Sequence, residues 1–482
     1  MSDSALLLDQ ATRQNLWRQL VEGLEAYTEG IAAHRVTPEM DPAQVRAFLS
    51  AVDFGRPLEP ERALALVLEG LWRFQTHTPH PNYYGLFNPA PTTMSIAADA
   101  LVAAFNPQLA AWSHSPFAVE VEQCLIRAFG GRFGYEHAAT DGVFCSGGAE
   151  ANHTALLTAL AAAFPEYLER GARALSREPV FYVSSESHHS FLKAARTSGL
   201  GMAAAREVMA DDKLRMDVAG LRAAIERDRR EGRAPFLVVA TAGTTSAGVV
   251  DPLAALAEVA EEEKLWFHVD AAWGGGAVFS PRLRAALEGI ARADSITFDA
   301  HKWLSVPMGA GIYLTRHPGI LERTFAIHTD YMPREAAGLD VVDPHKRSLQ
   351  WSRRSIGLKV FLSLLVAGWR GYEEAIEHQA AMGDLLRQKL AACGWEVINE
   401  TLLPVVCFVD GRSPEGCSAA YLDAIARRVV LSGRAWISTA RLRRTIPALR
   451  ACITNYRTGP ADLDALVGAL EEARLSLAGT TA

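Results

Sequence analysis

From about residue 140 to 316, short apolar runs alternate with stretches of helical period. "GVFCSGG" precedes "AEANHTALLTALAAAF", "PVFYVSS" precedes "HSFLKAARTSGL", "FLVVATAGTT" precedes "PLAALAEVAEEEK" and "LWFHVDAAW" precedes "PRLRAALEGI"; "SITFDAHKW" and "GAGIYLT" follow. Short apolar runs bounded by turn residues read as buried strands. Their alternation with helices predicts βαβ units and a mainly parallel sheet, an α/β fold. In such sheets ligands bind at the carboxyl ends of the strands. Ser146, His188, Thr245, Asp270 and Lys302 all fall at those ends.

The flanks have other patterns. Residues 4 to 75 read as helices: "DQATRQNLWRQLVEGLEAYTEGI" repeats apolar residues every three or four positions, and "DPAQVRAFLSAV" opens with an Asp-Pro start signal. "THTPHPNYYGLFNPAPTT" has no period and reads as a loop or linker whose aromatics suit a pocket wall. Residues 317 to 350 also lack a period and read as a long loop. "RSIGLKVFLSLLVAGWRGYEEAIEHQAAMGDLLRQKLAACG" is a long helical stretch. The runs "EVINETLLPVVCFVDG", "RAWISTARL" and "LRACITNY", with two helices, suggest a small α+β domain. The expected divisions are an N-terminal helical segment (1–82), a large central domain (83–355) and a small C-terminal domain (356–482).

Composition narrows the function classes. The chain has 482 residues, about half of them hydrophobic, so a sizeable core is within reach. Net charge is −7 with acidic and basic residues interleaved. Neither a nucleic-acid face nor a polybasic membrane patch is expected. "MSDSALLLDQATRQ" lacks a basic region followed by a long apolar one, so no signal peptide is expected. No window is apolar enough for a membrane span. The six cysteines form no CxxC pair and read as free thiols in a reducing cytoplasm.

Three features carry candidate chemistry. In "CSGGAEAN", Gly147 and Gly148 stand at a strand-to-helix junction. Glycines there let backbone amides approach an anion; they equally suit a tight turn that needs positive φ. Asp270 ends an apolar strand, where a buried carboxylate needs a cation or an N–H donor; capping the next turn is the plainer role. Lys302 sits in apolar company, where a desolvated lysine becomes a nucleophile toward carbonyl groups; a snorkelling strand-end lysine is the alternative. Together they form an anion cradle, a carboxylate for a ring nitrogen and a Schiff-base lysine, the set that pyridoxal phosphate requires. The adjacent His188 and His189 lack a third ligand at proper spacing, so no metal site is expected.

On "HVDAAWGGG", "DAHKW", "SSESHHSFLKAA" and "TAGTT", the chain resembles the group II pyridoxal-phosphate-dependent decarboxylases, which act on aromatic amino acids, glutamate, cysteine sulfinate or diaminobutyrate. The resemblance runs from "HPNYYGLF" to "LRACITNYRT". It implies fold type I, with a mainly parallel seven-stranded sheet, and a homodimer with active sites at the subunit interface. Lys302 would hold the cofactor covalently, Asp270 would pair with its ring nitrogen, and His188 would stack on the ring. Thr245, Ala272 and His301 would complete the cofactor site with Ser146, Gly147, Gly148 and Ala149. His301 would lie close to the phosphate. Tyr331, in "AIHTDYMPREA", matches the family's loop tyrosine that reprotonates the substrate; an ordinary loop tyrosine is the alternative. Arg353 matches an arginine that anchors this loop.

Two departures bear on function. Ala149 stands where many relatives donate a hydroxyl to the phosphate, leaving backbone amides and Ser146 to compensate. Leu86 stands where glutamate enzymes place a polar residue, and Ala110 where aromatic enzymes place a bulky ring. Leu86, Phe87, Asn88, Ala110 and Trp112 would form a mostly apolar substrate pocket with one amide, or pack at an interface. The expected activity is decarboxylation of an aromatic or other hydrophobic L-amino acid to its amine. The alternatives are a decarboxylative oxidative deaminase giving an aldehyde, disfavoured by Tyr331, and a non-catalytic relative, disfavoured by Lys302, Asp270 and His188. Met308 is left open between packing and shaping the pocket.

Overall fold

The computed structural model describes residues 6–39, 41–333, 335–336 and 338–478. A seven-stranded sheet forms its centre: β1 (Asp141–Cys145), β2 (Pro179–Ser184), β3 (Ala205–Val208), β4 (Ala234–Thr241), β5 (Trp266–Asp270), β6 (Ser295–Asp299) and β7 (Gly311–Thr315). The spatial order is β1-β7-β6-β5-β4-β2-β3. Every pairing is parallel except the two made by β7, which runs opposite to both β1 and β6. β1, β2, β6 and β7 are buried along their whole length, as expected for a sheet covered on both faces.

The expected parallel sheet is therefore present, and each apolar run named above forms its strand. β3 was not expected from the pattern. It is an edge strand in which only Val208 is buried, so little hydrophobic signal marks it. The described residues of 317–350 are mostly irregular but include a short helix, Ile320–Phe325.

Three N-terminal helices, α1 (Gln10–Gly30), α2 (Pro42–Ser50) and α3 (Pro60–Arg73), bury no residue fully. Trp17, Val21, Val67 and Leu71 on them are exposed. α4 (Thr93–Phe105) packs on the long helix Gly357–Ala392, which breaks at Gly368 (φ +61°). α5 (Pro116–Phe133) and α6 (Gly148–Ala163) lie on the sheet. The C-terminal part adds an antiparallel sheet, β8 (Trp395–Val397), β9 (Val405–Asp410), β10 (Ser438–Leu442) and β11 (Ile446–Cys452), in the order β10-β11-β9-β8. Helices Ala419–Ser432 and Pro460–Ala478 cover it through Leu422, Ile425, Leu463 and Leu466. Among the described residues no helix is long and apolar enough to cross a membrane.

α6 is rich in alanine, and Ala151, Ala155 and Ala159 are fully buried. Small side chains let it lie close against β6 and β7. β6 and β7 form a hairpin in which Asp299 is directly opposite Gly311. The connection between them holds Lys302.

Arg353 is buried and forks onto Glu122 of α5, with Nη1 to Oε1 at 3.0 Å and Nη2 to Oε2 at 2.5 Å. Glu122 Oε1 also accepts the N–H groups of Ile356 and Gly357, both at 3.2 Å. The pair thus fixes where the chain enters the long helix. Arg353→Met should cost about 3–5 kcal/mol, because Glu122 is left buried and uncompensated. Adding Glu122→Gln, whose carbonyl still accepts both amides, should recover most of the loss. Urea unfolding of the single and double variants checks both outcomes.

Candidate active site

A cavity of about 240 Å³ opens at the carboxyl ends of the central strands. Ser146, Gly147, Gly148 and Ala149 reach it from the turn after β1, His188 from after β2 and Thr245 from after β4. Asp270 and Ala272 reach it from the end of β5, and His301 and Lys302 from after β6. All ten residues expected around a cofactor therefore line one space.

Lys302 lies on a single helical turn, Ala300–Trp303. Its Nζ is 3.0 Å from Oδ2 of Asp299, the last residue of β6, which is 1% exposed. This buried carboxylate explains how a lysine is tolerated in apolar surroundings, and sequence reading gave it no role. His301 Nε2 is 3.8 Å from the same oxygen, and its Nδ1 accepts the Ala310 N–H at 3.2 Å. Burial lowers the His301 pKa, so the ring is neutral and carries its proton on Nε2. Asp299 Oδ1 is buried with no hydrogen-bond partner. Ser305, further along this connection, has φ +53° and accepts the Thr92 N–H at 2.8 Å, a strained position held by its surroundings.

The glycine pair has a steric explanation. Gly147 is extended (φ 169°) and Gly148 begins α6; neither has positive φ. A Cβ on Gly148 would lie 2.7 Å from Asp299 Oδ2. Close approach, rather than turn geometry, requires glycine there. Ser146 departs from expectation. Its hydroxyl donates to Glu150 Oε2 at 2.6 Å, and its N–H donates to the same oxygen at 2.7 Å. Glu150 is the third residue of α6 and reaches back to its start like the acid of a capping box. The Ser146 proton is therefore engaged and does not replace the hydroxyl missing at Ala149. Gln350 Nε2 holds both oxygens of Glu150, at 2.7 and 2.8 Å.

Asp270 does cap the turn that follows, accepting the Ala272 N–H at 3.1 Å on Oδ1, and it also faces the cavity. Its Oδ2 accepts from Asn152 Nδ2 at 2.8 Å. Asn152 was missed by sequence reading. Its signal was an asparagine inside an alanine-rich helix, where that side chain is unfavourable without a partner. Asn152 Oδ1 is 3.4 Å from Nε2 of His268, which is fully buried in β5. Burial pushes the His268 pKa down to about 4 and lowers that of His188.

The expected substrate residues divide. Phe87 (φ +37°) stacks on Trp273 at 4.6 Å, and Lys302 Nζ lies 5.7 Å from its ring centre. Asn88 Nδ2 is 3.0 Å from Sδ of Met308, which lines the cavity. Leu86 is 54% exposed and outside the lining. Trp112 is turned away: its Nε1 donates to Glu120 at 2.9 Å and its N–H to Asp343 at 3.0 Å. Ala110 uses its carbonyl to accept from His345 Nδ1 at 2.9 Å. Tyr331 is 75% exposed, stacked 6.0 Å from Trp351 and outside the cavity lining. Arg450 of β11, also missed, lies 5.0 Å from the Phe87 ring and donates to the carbonyls of Thr245 and Gly85 at 2.9 and 3.0 Å. Its Nη2 is buried without a partner.

Residues 61–410 match the pyridoxal-dependent decarboxylase conserved domain. The chain belongs to this family. As a member, it is an amino-acid decarboxylase that uses pyridoxal phosphate. It is 30% identical to an aromatic-L-amino-acid decarboxylase of Bacillus atrophaeus, over 95% of this chain and 94% of the relative. It is 31% identical to a cysteine sulfinic acid decarboxylase of Mus musculus, over 83% of both. The crystal structure of mouse CSAD superimposes with a TM-score of 0.90 at 27% identity, covering 97% of this chain and 99% of the other. The donor set of the decarboxylase cavity fits the cofactor's chemistry: amides at a helix start, a carboxylate across from them and a lysine between.

His268 should make the decarboxylase acid-sensitive. Its pKa is lower folded, at about 4, than unfolded, so the unfolded chain binds the extra proton first. The stability from keeping it neutral is present above pH ~6.5 and is lost as pH falls toward 4, by up to about 1.4 kcal/mol per pH unit. His268→Gln should flatten the slope of unfolding free energy against pH in that window, as measured by urea titrations at several pH values.

Proposed function

We propose that this decarboxylase acts on an aromatic or other hydrophobic L-amino acid, releasing CO2 and the amine. The carrying observation is the convergence of Lys302, Asp270, His188 and the start of α6 on one cavity lined also by Trp273, with the Phe87 ring stacked on that indole. Pyridoxal phosphate, when bound, supplies an aldehyde for reaction with amines and a pyridinium that accepts the electron pair left by the departing carboxylate. The residues of the chain do the rest. Lys302 would provide the amine that holds the aldehyde end, with the Asp299 carboxylate 3.0 Å from its Nζ. Asp270 would hold a proton on the ring nitrogen. The free amides at the start of α6 and the Nε2–H of His301 would bind the phosphate. His188 would cover the ring face. The Phe87 ring and Met308 exclude water from the substrate side chain.

The Tyr331 hydroxyl delivers the proton to the substrate's α-carbon. It lies outside the cavity of its own chain, which supports a loop that closes over the site or a site completed by a second copy. Exposed apolar residues on α1, α3 and α4, among them Trp17, Val67 and Phe105, support a homodimer. An acidic substrate is the second reading. Arg450 favours it: among the described residues no carboxylate pairs with this buried guanidinium near Phe87, whose hydrogen bonds go to the Thr245 and Gly85 carbonyls.

A panel of L-amino acids assayed for CO2 and amine should give the highest kcat/KM with a hydrophobic or aromatic side chain. Preference for glutamate, aspartate or cysteine sulfinate would instead establish the acidic reading. A carbonyl product with peroxide would overturn amine formation. Tyr331→Phe should lower amine formation by about 100-fold or more, the usual worth of a positioned general acid.

A further inference from the structure

Behind the cavity wall runs a chain of buried polar groups whose hydrogen-bond directions can be worked out from its ends. At one end the Trp266 indole, which can only donate, gives its Nε1–H to Ser295 Oγ at 2.9 Å. The Ser295 hydroxyl proton is then free for His268 Nδ1, 2.8 Å away. A neutral His268 accepting on Nδ1 carries its proton on Nε2. That proton faces Asn152 Oδ1 at 3.4 Å and Thr297 Oγ1 at 3.3 Å. The Asn152 amide cannot be turned over, because its oxygen would then face the Asp270 carboxylate. Its two Nδ2 protons go to Asp270 Oδ2 at 2.8 Å and Ser190 Oγ at 2.9 Å. Ser190, accepting there, directs its own proton to His188 Nδ1 at 2.9 Å, and its N–H donates to the same nitrogen at 3.2 Å.

The geometry points to Asn152 and Ser190 as positioning residues that hold Asp270 in place as an acceptor and fix His188 as the neutral Nε2–H tautomer. The two groups assigned to the cofactor ring are thus set by one amide, 1% exposed, in the first turns of α6. The direction has a chemical consequence. His188 meets the cavity with an N–H, so it donates a hydrogen bond to a bound oxygen anion. It cannot accept a proton at that nitrogen, and giving one up would leave an imidazolate. The proton for the α-carbon must come from another group. The inference rests on the reading that Asp270 and His188 face the cofactor, but the tautomer itself does not depend on that reading.

Histidine-selective 15N labelling of the full chain, followed by two-bond 15N–1H correlation at pH 7 with and without pyridoxal phosphate, reads the tautomers directly. His188 and His268 should both show a protonated Nε2 and a bare Nδ1 in both forms. An Nδ1–H tautomer or an imidazolium at either residue overturns the proposal. Asn152→Asp has the same shape but loses both donors. Its cofactor dissociation constant, measured by fluorescence titration, should rise about 10- to 100-fold. An unchanged constant in a variant with a native unfolding transition would refute the role of Asn152. Ser190→Ala is the milder variant and should fold even where Asn152→Asp does not. Only the backbone N–H at 3.2 Å then holds His188 Nδ1, so the Nδ1 15N shift should move toward that of a less strongly hydrogen-bonded nitrogen, and a His188 spectrum identical to wild type would remove the Ser190 hydroxyl from the proposal. Failure of cofactor binding by wild-type protein with the expected tautomers would count against the cofactor reading alone.

Discussion

The close seat of α6 on the carboxyl edge of the sheet is the constraint on which the cavity depends. Gly148 can begin the helix against Asp299 only because it has no Cβ, and the buried alanines behind it keep the axis near β6 and β7. That proximity brings three polar contacts into being at once. Glu150 turns back to Ser146, Asn152 meets Asp270, and the helix start faces the space beside Lys302. A bulkier residue at Gly148 would push against Asp299 and so against the partner of the lysine.

Charge in this region is balanced locally. Lys302 answers Asp299, Arg353 answers Glu122, and Asp270 is held by neutral donors alone, from Asn152 and Ala272. The histidines nearby are kept neutral by burial. Among the described residues no cationic side chain is bonded to Asp270, the condition under which it can serve a cation brought by a ligand. Arg450 is its counterpart near Phe87, a cation without an acidic partner among the described residues.

Much of this was legible in the sequence, for physical reasons. Buried parallel strands read as apolar runs, and polar residues at their ends stand out because the strands are otherwise so uniform. Asp270, His188 and Lys302 were visible in that way. β3 was not, because a half-exposed edge strand has no such contrast. Asn152 and Ser190 lie on helices, where a polar residue is ordinary, and their importance arises from contacts across 38 and 118 positions of chain. Ser146 lines the cavity as its place after β1 suggested, but its sequence context says nothing of Glu150 reaching back to it. Trp112 and Phe87 were both expected at the pocket, yet only the second packs beside it, on Trp273, while Trp112 is held by Asp343 and Glu120.

The reversed strand β7 has a kinetic meaning for Lys302. Because β6 and β7 are hydrogen-bonded neighbours, the connection that carries the lysine is closed at its base by Asp299 opposite Gly311. It is closed again one step inward, where the Ala300 N–H donates to the Ala310 carbonyl at 2.8 Å. A loop pinned twice at its neck has little freedom left to lose. Its amine is presented at high effective concentration to whatever enters the cavity, with much of the entropic cost of approach already met when the chain folds.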